Sequence, residues 1–302
     1  MSASTPNLQP FLLGRYPVVK SAYPGEGRRK WRLRVAEDFW VLSKEEKAQV
    51  LSFDVLIDED NVPFESDEDP SDEVAGNDAP GLGLVVRTDF CNEDAWQYFV
   101  QKLQEGEAEF TSSSAGTDTD AMDEDPDPQP SSSTSAAAAP PSDNAEEDDE
   151  DEDEAGPIFG IVNPPADSPL RAHLTNASNL AVLRLLNDVS VRRTPTLPPD
   201  TKRHKPANRL IDHDGWQEVY EGKMVWVYDT RSNQDGCARV VSQKGGSYGT
   251  ATADSWRARV SHICELQVNL ASGAMSIDFG GLDRYDYDER LKNLQQAELP
   301  IV

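Results

Sequence analysis

The strongest constraint on this chain is a long acidic segment without any basic residue. Residues 104–156 contain nineteen acids and no Lys or Arg, and residues 146–154 are nine acids in a row. Such a segment has too few apolar side chains to offset the conformational entropy that ordering would cost. We therefore expect residues 104–156 to be a disordered insertion, and a folded domain must be assembled from the sequence on both sides of it.

The negative charge is concentrated in two segments. The chain has 28 bases and 55 acids, for a net charge of −27. Residues 51–78 add eleven further acids and again no base. The negative charge of segments 51–78 and 104–156 together therefore exceeds the net charge of the whole chain. The remaining sequence is close to neutral. Acidity of this kind disfavours nucleic acid as a partner, because phosphates repel carboxylates.

The composition also indicates where such a chain would reside. No segment is apolar and long enough to be a membrane-spanning helix, and residues 1–30 lack the pattern of a secretory signal. The three cysteines, Cys91, Cys237 and Cys264, are odd in number and lack CxxC spacing, which is typical of reduced thiols. We expect a soluble protein of the cytoplasm or the nucleus, with no membrane partner.

The N-terminal part, residues 1–57, is predicted to be an arm followed by a strand, a helix and a strand. Residues 1–30 are rich in Pro and Gly and are expected to be irregular. Residues 31–35, Trp-Arg-Leu-Arg-Val, alternate apolar and basic side chains, which is typical of a strand with one buried face. Ser43 and Glu46 have the spacing of a capping box and predict a short helix. An alternating strand at 53–57 and an acidic loop at 58–80 follow.

The main domain is predicted from residues 81–103 and 157–302. Residues 82–88 form a short apolar run that predicts a buried strand, and Asn92 caps a helix with an apolar stripe through residue 103. The later elements are a strand at 157–162, a helix from 175 or 176, a basic loop at 192–207, a hairpin of 223–228 with 238–241, a strand at 256–260, a helix or strand at 261–270 and a helix at 285–297. This order predicts an α/β or α+β fold, a single mixed-sheet domain with flanking helices.

Two segments carry a resemblance to a known family. Residues 84–90 are Leu-Val-Val-Arg-Thr-Asp-Phe and precede Ala95-Trp96, whereas residues 265–279 are Glu-Leu-Gln-Val-Asn-Leu-Ala-Ser-Gly-Ala-Met-Ser-Ile-Asp-Phe. Together they resemble a small, mostly bacterial domain family of unknown function, which begins with Arg-Thr-Asp-Phe and Ala-Trp and ends with Asn-Leu-Ser and Met-Asp-Phe. The sequence departs from that pattern at Ala274, where the family has Ala-Asn. The resemblance implies a compact α/β domain and no known chemistry.

The same two segments supply the candidate ligand-binding residues. Arg87, Asp89 and Trp96 lie where a predicted strand meets a helix, which is where α/β sheets commonly bind ligands. A polar pocket that adds Asn269 and Asp278 is one interpretation. The alternative is structural: Asp89 caps the helix, and Arg87 pairs with an acid such as Asp278.

Other clusters have simpler explanations. The acids around His213, and Asp283, Asp286 and Asp288, lack the converging ligands of a metal site. Cys91 has no surrounding nucleophile signature. The basic run at 28–34 is expected to be a solvated strand face, which could hold an acidic loop of the same protein. We therefore expect no cofactor and no metal.

These observations favour a non-enzymatic interaction or regulatory protein. Its acidic insertion, and residues 146–154 in particular, would contact a basic protein. The alternative is a small-molecule binder or an enzyme with a polar pocket near Arg87, Asp89, Asn269 and Asp278. The sequence identifies no catalytic residue.

Overall fold

The computed structural model describes residues 9–50, 67–115, 156–196, 207–246, 249–279 and 286–300. Within these ranges the chain forms ten helices and seven strands. The helices are α1 (Gln9–Ala22), α2 (Arg28–Trp40), α3 (Lys44–Val50), α4 (Asp72–Ala75), α5 (Glu93–Ala115), α6 (Pro169–Leu174), α7 (Asn179–Leu186), α8 (Ser232–Asp235), α9 (Val260–Ala271) and α10 (Tyr287–Ala297), and the strands are β1 (Gly83–Arg87), β2 (Phe159–Val162), β3 (Asp188–Arg193), β4 (Trp216–Glu221), β5 (Met224–Tyr228), β6 (Cys237–Val241) and β7 (Ser255–Arg259).

The main sheet has five strands in the order β2-β1-β5-β6-β7. Strands β2, β1 and β5 are parallel, whereas β6 is antiparallel to both β5 and β7. The sheet is therefore mixed, with helices on both faces, which confirms the predicted fold class. The predicted strands around residues 82–88, 157–162 and 256–260 and the hairpin of β5 and β6 are confirmed as well.

Two hydrophobic cores lie on opposite faces of this sheet. Successive residues of a strand point to opposite sides, so Leu84 and Val86 belong to one core and Val85 to the other. The first core also receives α1, α2, α7 and the two-stranded sheet of β3 and β4. The second core receives α5 and α9, with Trp96, Trp226 and Tyr228 as its largest fully buried side chains.

The N-terminal prediction was wrong. Residues 9–22 form helix α1 instead of an irregular arm, and the predicted strand at 31–35 lies inside α2. The alternation misled because Arg32 is itself buried, although it counts as polar in the pattern, and Arg29, one turn earlier, is buried as well. Buried arginines widen the inward-facing side of α2 beyond its apolar residues. The predicted strand at 53–57 lies outside the described residues.

Several helix predictions can be checked directly. The Ser43 amide donates to Glu46 at 2.8 Å and the Glu46 amide donates to the Ser43 hydroxyl at 3.2 Å, so the capping box is confirmed. Helix α5 continues to Ala115, so the insertion begins later than the predicted residue 104. Residues 116–155 lie outside the described ranges.

In further regions the structure either differs from the prediction or decides between two predicted alternatives. The acidic loop at 58–80 contains helix α4 in its described part, and the loop predicted at 192–207 begins inside β3. Strand β4 was not predicted at all. The ambiguous residues 261–270 are helical, and the polar C-terminal helix is confirmed as α10.

Candidate functional site at the carboxyl edge of the sheet

The most polar part of the sheet lies at the carboxyl ends of β1 and β5. Arg87 ends β1 and is 1% exposed. Its Nε donates to the Asp89 carbonyl at 2.9 Å, and its Nη1 donates to the Glu93 carboxylate at 2.7 Å. The guanidinium also lies 5.0 Å from the ring centroids of Phe90 and of Trp96. The two rings offer favourable π faces to its remaining nitrogen, Nη2, which lacks a hydrogen-bond partner.

Asp89 connects the end of β1 to the segment that follows β5. Its carboxylate accepts hydrogen bonds from the Thr230 hydroxyl at 2.7 Å, from the Asn233 amide at 2.9 Å and from the Cys91 backbone at 3.0 Å. Burial acts to raise the pKa of Asp89, but the hydrogen bonds from Asn233 and Thr230 outweigh it and lower the pKa below the ordinary value. Asp89 is therefore held ionised and is a poor proton acceptor.

A second carboxylate, Asp229, organises the neighbouring strands. Arg257 donates to both of its oxygens, at 2.9 and 3.2 Å, and the Arg239 Nε lies 3.2 Å away. Burial again acts to raise the pKa of Asp229, and the charges of Arg239 and Arg257 together with the Arg257 hydrogen bond lower it overall. The carboxyl edge is thus a set of ion pairs that join β5, β6 and β7.

The structure brings together three of the five predicted site residues. Arg87, Asp89 and Trp96 meet at the carboxyl edge, as described above. Helix α9 begins at this edge, where the Val260 amide donates to Gly236, but it runs to the opposite edge, where its Gln267 donates to the Leu82 carbonyl at 3.2 Å.

Asn269 therefore does not complete a pocket with Arg87. Asn269 follows Gln267 on α9, and its amide donates to the Glu265 carbonyl of the same helix. Asp278 is exposed and lies beyond the end of α9. The carboxylate that pairs with Arg87 is Glu93, and the predicted four-residue pocket is corrected accordingly. The helix cap is Asn92, whose side chain accepts the Ala95 amide at 3.0 Å, instead of Asp89.

Sequence reasoning missed Thr230 and Asn233, the partners of Asp89. They lie in the segment between β5 and β6, which was predicted only as a turn. Asn, Asp and Ser are common in turns for local reasons, so their presence there did not indicate a contact more than a hundred residues away. Only the parallel pairing of β1 with β5 brings these segments together.

A second polar cluster joins the start of α2 to residues 67–72. The Arg29 guanidinium donates to Asp69 at 2.7 Å and to Asp72 at 2.8 Å, and Arg28 donates to Asp72 at 2.8 Å. Asp69 also accepts the Arg29 backbone amide at 2.8 Å. The basic run at 28–34 thus holds an acidic segment of the same chain, as one of the sequence interpretations proposed, but from a helix. A cavity of about 560 Å³ lies beside this contact.

Neither cluster has the composition of a metal site or a membrane segment. Among the described residues, no three His, Cys, Asp or Glu side chains are grouped so that they could hold a metal ion. Within the same residues, no helix combines the length and the apolar character that crossing a bilayer requires.

Comparisons with known proteins add no relative: no protein-family model, no curated protein and no solved structure matches the chain. The resemblance of residues 84–96 and 265–279 to a bacterial family thus stays a prediction.

Proposed function

We propose that this protein is a non-enzymatic interaction or regulatory module that binds a basic protein through its acidic segment, with residues 146–154 as the main contact. This proposal is based on the excess of acidic over basic residues, which ion pairs within the chain cannot neutralise. With 55 acids against 28 bases, 27 carboxylates would remain even if every base formed an ion pair. An external cation has to compensate them, and a Lys/Arg-rich protein surface does so with specificity.

Most of the described arginines are already paired within the folded part, which supports the proposal. Most of the described arginines form ion pairs with carboxylates of the same domain, including Arg28, Arg29, Arg87, Arg209, Arg239, Arg257 and Arg290. These described arginines are therefore already paired within the domain, whereas the nineteen acids at 104–156 have no base in their own segment.

The contact between α2 and residues 67–72 is an internal example of this kind of recognition. Asp72 accepts both guanidinium groups of a consecutive arginine pair, and Asp69 accepts one of them as well as a backbone amide. Charge-assisted bonds of this type are shorter and stronger than neutral ones. The acids at 146–154 offer the same chemistry to a partner.

The carboxyl edge supports the non-enzymatic part of the proposal. The side chains that a small ligand would need, those of Arg87 and Asp89, are buried and bonded to Glu93, Thr230 and Asn233. A ligand would have to displace these bonds. The geometry therefore favours a structural role for this cluster over catalysis.

The proposal can be tested with a panel of peptides that carry increasing numbers of Lys and Arg. The full chain is compared with a variant in which the nine acids at 146–154 are replaced by Gln and Asn. A control exchanges every Asp for Glu and every Glu for Asp there, which keeps the charge. We expect the neutral variant to bind at least tenfold more weakly and with a shallower salt dependence. Equal binding by all three chains would refute the proposal.

A further inference from the structure

The chain leaves the neighbouring strands β1 and β2 towards opposite faces of the main sheet. The two strands are parallel. Helix α5 follows β1 and packs in the second core through Phe99 and Leu103, whereas α6 and α7 follow β2 and pack in the first core through Leu174 and Leu183. In open α/β sheets, ligands commonly bind where two such connections diverge, outside the carboxyl ends of the strands. The fold therefore favours a ligand between the ends of β1 and β2.

Arg87 lies at this divergence and has an unused hydrogen-bond donor. Its side chain is 1% exposed, and its Nη1 donates to Glu93, after β1, at 2.7 Å and to Asn163, after β2, at 3.4 Å. Its Nη2 has no hydrogen-bond partner among the described residues. Nη1 and Nη2 together form the fork with which a guanidinium binds two oxygens of an oxyanion. Glu93 uses only half of this fork, because its other oxygen accepts the Gln97 amide at 2.7 Å.

A second arginine approaches the same place from α6. The guanidinium groups of Arg87 and Arg171 lie 5.0 and 4.1 Å from the centroid of the Phe90 ring, so a single small ligand can reach both. The Arg171 side chain forms no ion pair within the described part of the chain. Its hydrogen bond there goes to the Pro164 carbonyl at 3.4 Å. Arg171 is therefore available to an anion.

The Glu93 carboxylate is the anion that occupies this place now. Hydrogen bonds from Gln97 and Arg87, together with the charges of Arg87 and Arg171, lower the pKa of Glu93. Both arginines thus act on one position. The Glu93 side chain is nevertheless 59% exposed, whereas Asp89 is buried and bonded to Thr230. An anion from solvent can replace Glu93 and leave the bonds of Asp89 intact.

The start of α5 adds a further attraction for an anion. This helix has 23 residues, and the aligned peptide dipoles place partial positive charge at its first turn. The side chain of Asn92 accepts the Ala95 amide, while Glu93 and Asp94, the first two residues of the helix, are exposed. Amides at such helix starts commonly bind phosphate.

We propose that Arg87, Arg171 and the first turn of α5 form a binding site for phosphate, free or carried by a small molecule, which displaces the Glu93 carboxylate. Phosphate has enough oxygens to take both halves of the Arg87 fork and to contact Arg171 as well. Its charge of about −1.5 to −2 as a monoester at pH 7 matches two guanidinium groups better than a single carboxylate does. This site goes beyond the proposed function, because it binds an anion at the folded domain and requires no catalytic residue.

The test measures binding of inorganic phosphate and of glycerol 3-phosphate to the full chain by calorimetry, with chloride keeping the ionic strength constant. Glu93→Gln keeps an oxygen acceptor but removes the competing charge. Asp94→Asn removes the same charge from the next residue of α5 and is its control. Arg171→Gln removes the second guanidinium, and Lys30→Gln, at an exposed position of α2, is its control. Arg87 is left unaltered because it is buried in the fold.

We expect Glu93→Gln to bind phosphate about threefold to tenfold more tightly than the unaltered chain, and Arg171→Gln about tenfold more weakly, since a charge-assisted hydrogen bond is gained or lost. Both controls should stay within about twofold, because salt screens exposed charges that do not contact the ligand. Absence of binding to the unaltered chain overturns the inference. So does equal affinity of Arg171→Gln and Lys30→Gln, or of Glu93→Gln and Asp94→Asn.

The two probes distinguish the sources of the phosphate. Binding of glycerol 3-phosphate at least as tight as that of inorganic phosphate supports a small organic phosphate as the ligand. Exclusion of the ester, while inorganic phosphate binds, supports free phosphate at the same site.

A measurement on the unaltered chain makes the test independent of how the variants fold. Phosphate should shift the NMR signals of the Glu93 and Asp94 backbone amides, which lie at the proposed site. The side-chain amide of Asn233, which donates to Asp89 at 2.9 Å, should keep its signal because that bond is retained. Saturating phosphate that leaves the Glu93 and Asp94 amides unchanged would overturn the inference.

Discussion

Glu107 of helix α5 accepts the outward-facing amide of Phe159 at 2.9 Å, and so occupies one of the backbone donors at the free edge of the sheet. The bond also fixes the C-terminal half of α5 against β2. Natural proteins commonly protect sheet edges with such charged side chains. Ile161, the next residue of β2 that faces away from β1, is 39% exposed.

Replacing Glu107 by Gln should stabilise the protein at neutral pH. Burial raises the pKa of Glu107, and the backbone hydrogen bonds from Phe159 and Ile158 offset this only in part. A carboxyl whose pKa is raised on folding contributes stability below its unfolded pKa and loses that contribution as the pH rises through its folded pKa. Glutamine keeps the acceptor and does not ionise. The melting temperature of Glu107→Gln should exceed that of the unaltered chain at pH 7, and the gap should close towards pH 4.

Glu105→Gln is the matched control for this prediction. Glu105 lies on the same helix but is exposed, and the hydrogen bond from Lys102 lowers its pKa. Its neutralisation should bring no gain in melting temperature at pH 7. A Glu107→Gln variant that melts no higher than the unaltered chain at pH 7 would show that the buried charge has no cost.

Asp69→Ala should destabilise the protein strongly. The side chains of Arg29 and Asp69 are 4% and 5% exposed, and their atoms approach to 2.7 Å. Removing one partner of a buried ion pair typically costs about 3–5 kcal/mol, and we expect the lower end of that range here because Asp72, which also accepts from Arg29 at 2.8 Å, still compensates part of the charge. Asp69→Ala also removes the acceptor of the Arg29 amide at the start of α2. Urea denaturation measures the loss.

Asp38→Ala serves as the comparison for an exposed pair. Asp38 binds Arg15 with both side chains largely open to solvent. Pairs of this kind contribute about 0–1 kcal/mol. The two variants should therefore differ clearly in their urea midpoints, and similar midpoints would mean that Asp72 alone compensates Arg29 when Asp69 is removed.

Arg29 illustrates which elements of the fold could be predicted from the sequence and which could not. Strands β1, β2 and β5 follow from short apolar runs, because their side chains meet the core with no help from distant polar groups. Helix α2 could not be predicted in this way, since the buried Arg29 pairs with Asp69 and Asp72, which lie 40 and 43 positions further along the chain. A local pattern counts that arginine as solvent-facing.

The contacts of the candidate site could likewise be predicted only in part from the sequence. A strand followed by a helix correctly indicated that Arg87, Asp89 and Trp96 meet at one edge of the sheet. The partners of Asp89 follow β5, and only the register of β1 with β5 brings them near. The direction of α9, which carries Asn269 away from this edge, depends on the order of the strands and has no local signal.

Asp254→Asn should change how stability depends on pH. Asp254 is 2% exposed, and burial raises its pKa to about 6, although the charge of Arg290 acts in the opposite direction. Its contribution to stability is complete below the unfolded pKa, near 3.8, and is lost as the pH rises through about 6. A difference of about two pKa units corresponds to roughly 3 kcal/mol when the group is fully ionised.

Asparagine keeps an acceptor for the Ala251 amide but cannot ionise, so this pH dependence should disappear. Urea denaturation between about pH 4 and pH 8 should give a flatter profile for Asp254→Asn than for the unaltered chain. Asp288→Asn, at an exposed position of α10, should keep the original profile. Parallel profiles for Asp254→Asn and the unaltered chain would assign the pH dependence to other groups.

Asp89→Ala should destabilise the protein, because the carboxylate joins the end of β1 to the segment that follows β5. Its removal leaves the Thr230 hydroxyl, the Asn233 amide and the Cys91 backbone amide without their acceptor. Unsatisfied buried donors cost about 1–3 kcal/mol each, and partial access of water reduces the sum. We expect a loss of roughly 2–4 kcal/mol in the free energy of unfolding.

Asp94→Ala, at an exposed position in the first turn of α5, is the control for the loss of a negative charge near Arg87. Its effect should stay within about 0.5 kcal/mol. If Asp89→Ala proves as stable as Asp94→Ala, the carboxylate is not needed for the fold. Its buried, hydrogen-bonded position would then favour a ligand at the carboxyl edge, and a ligand-library thermal-shift screen on both variants would identify it by a stabilisation that Asp89→Ala lacks.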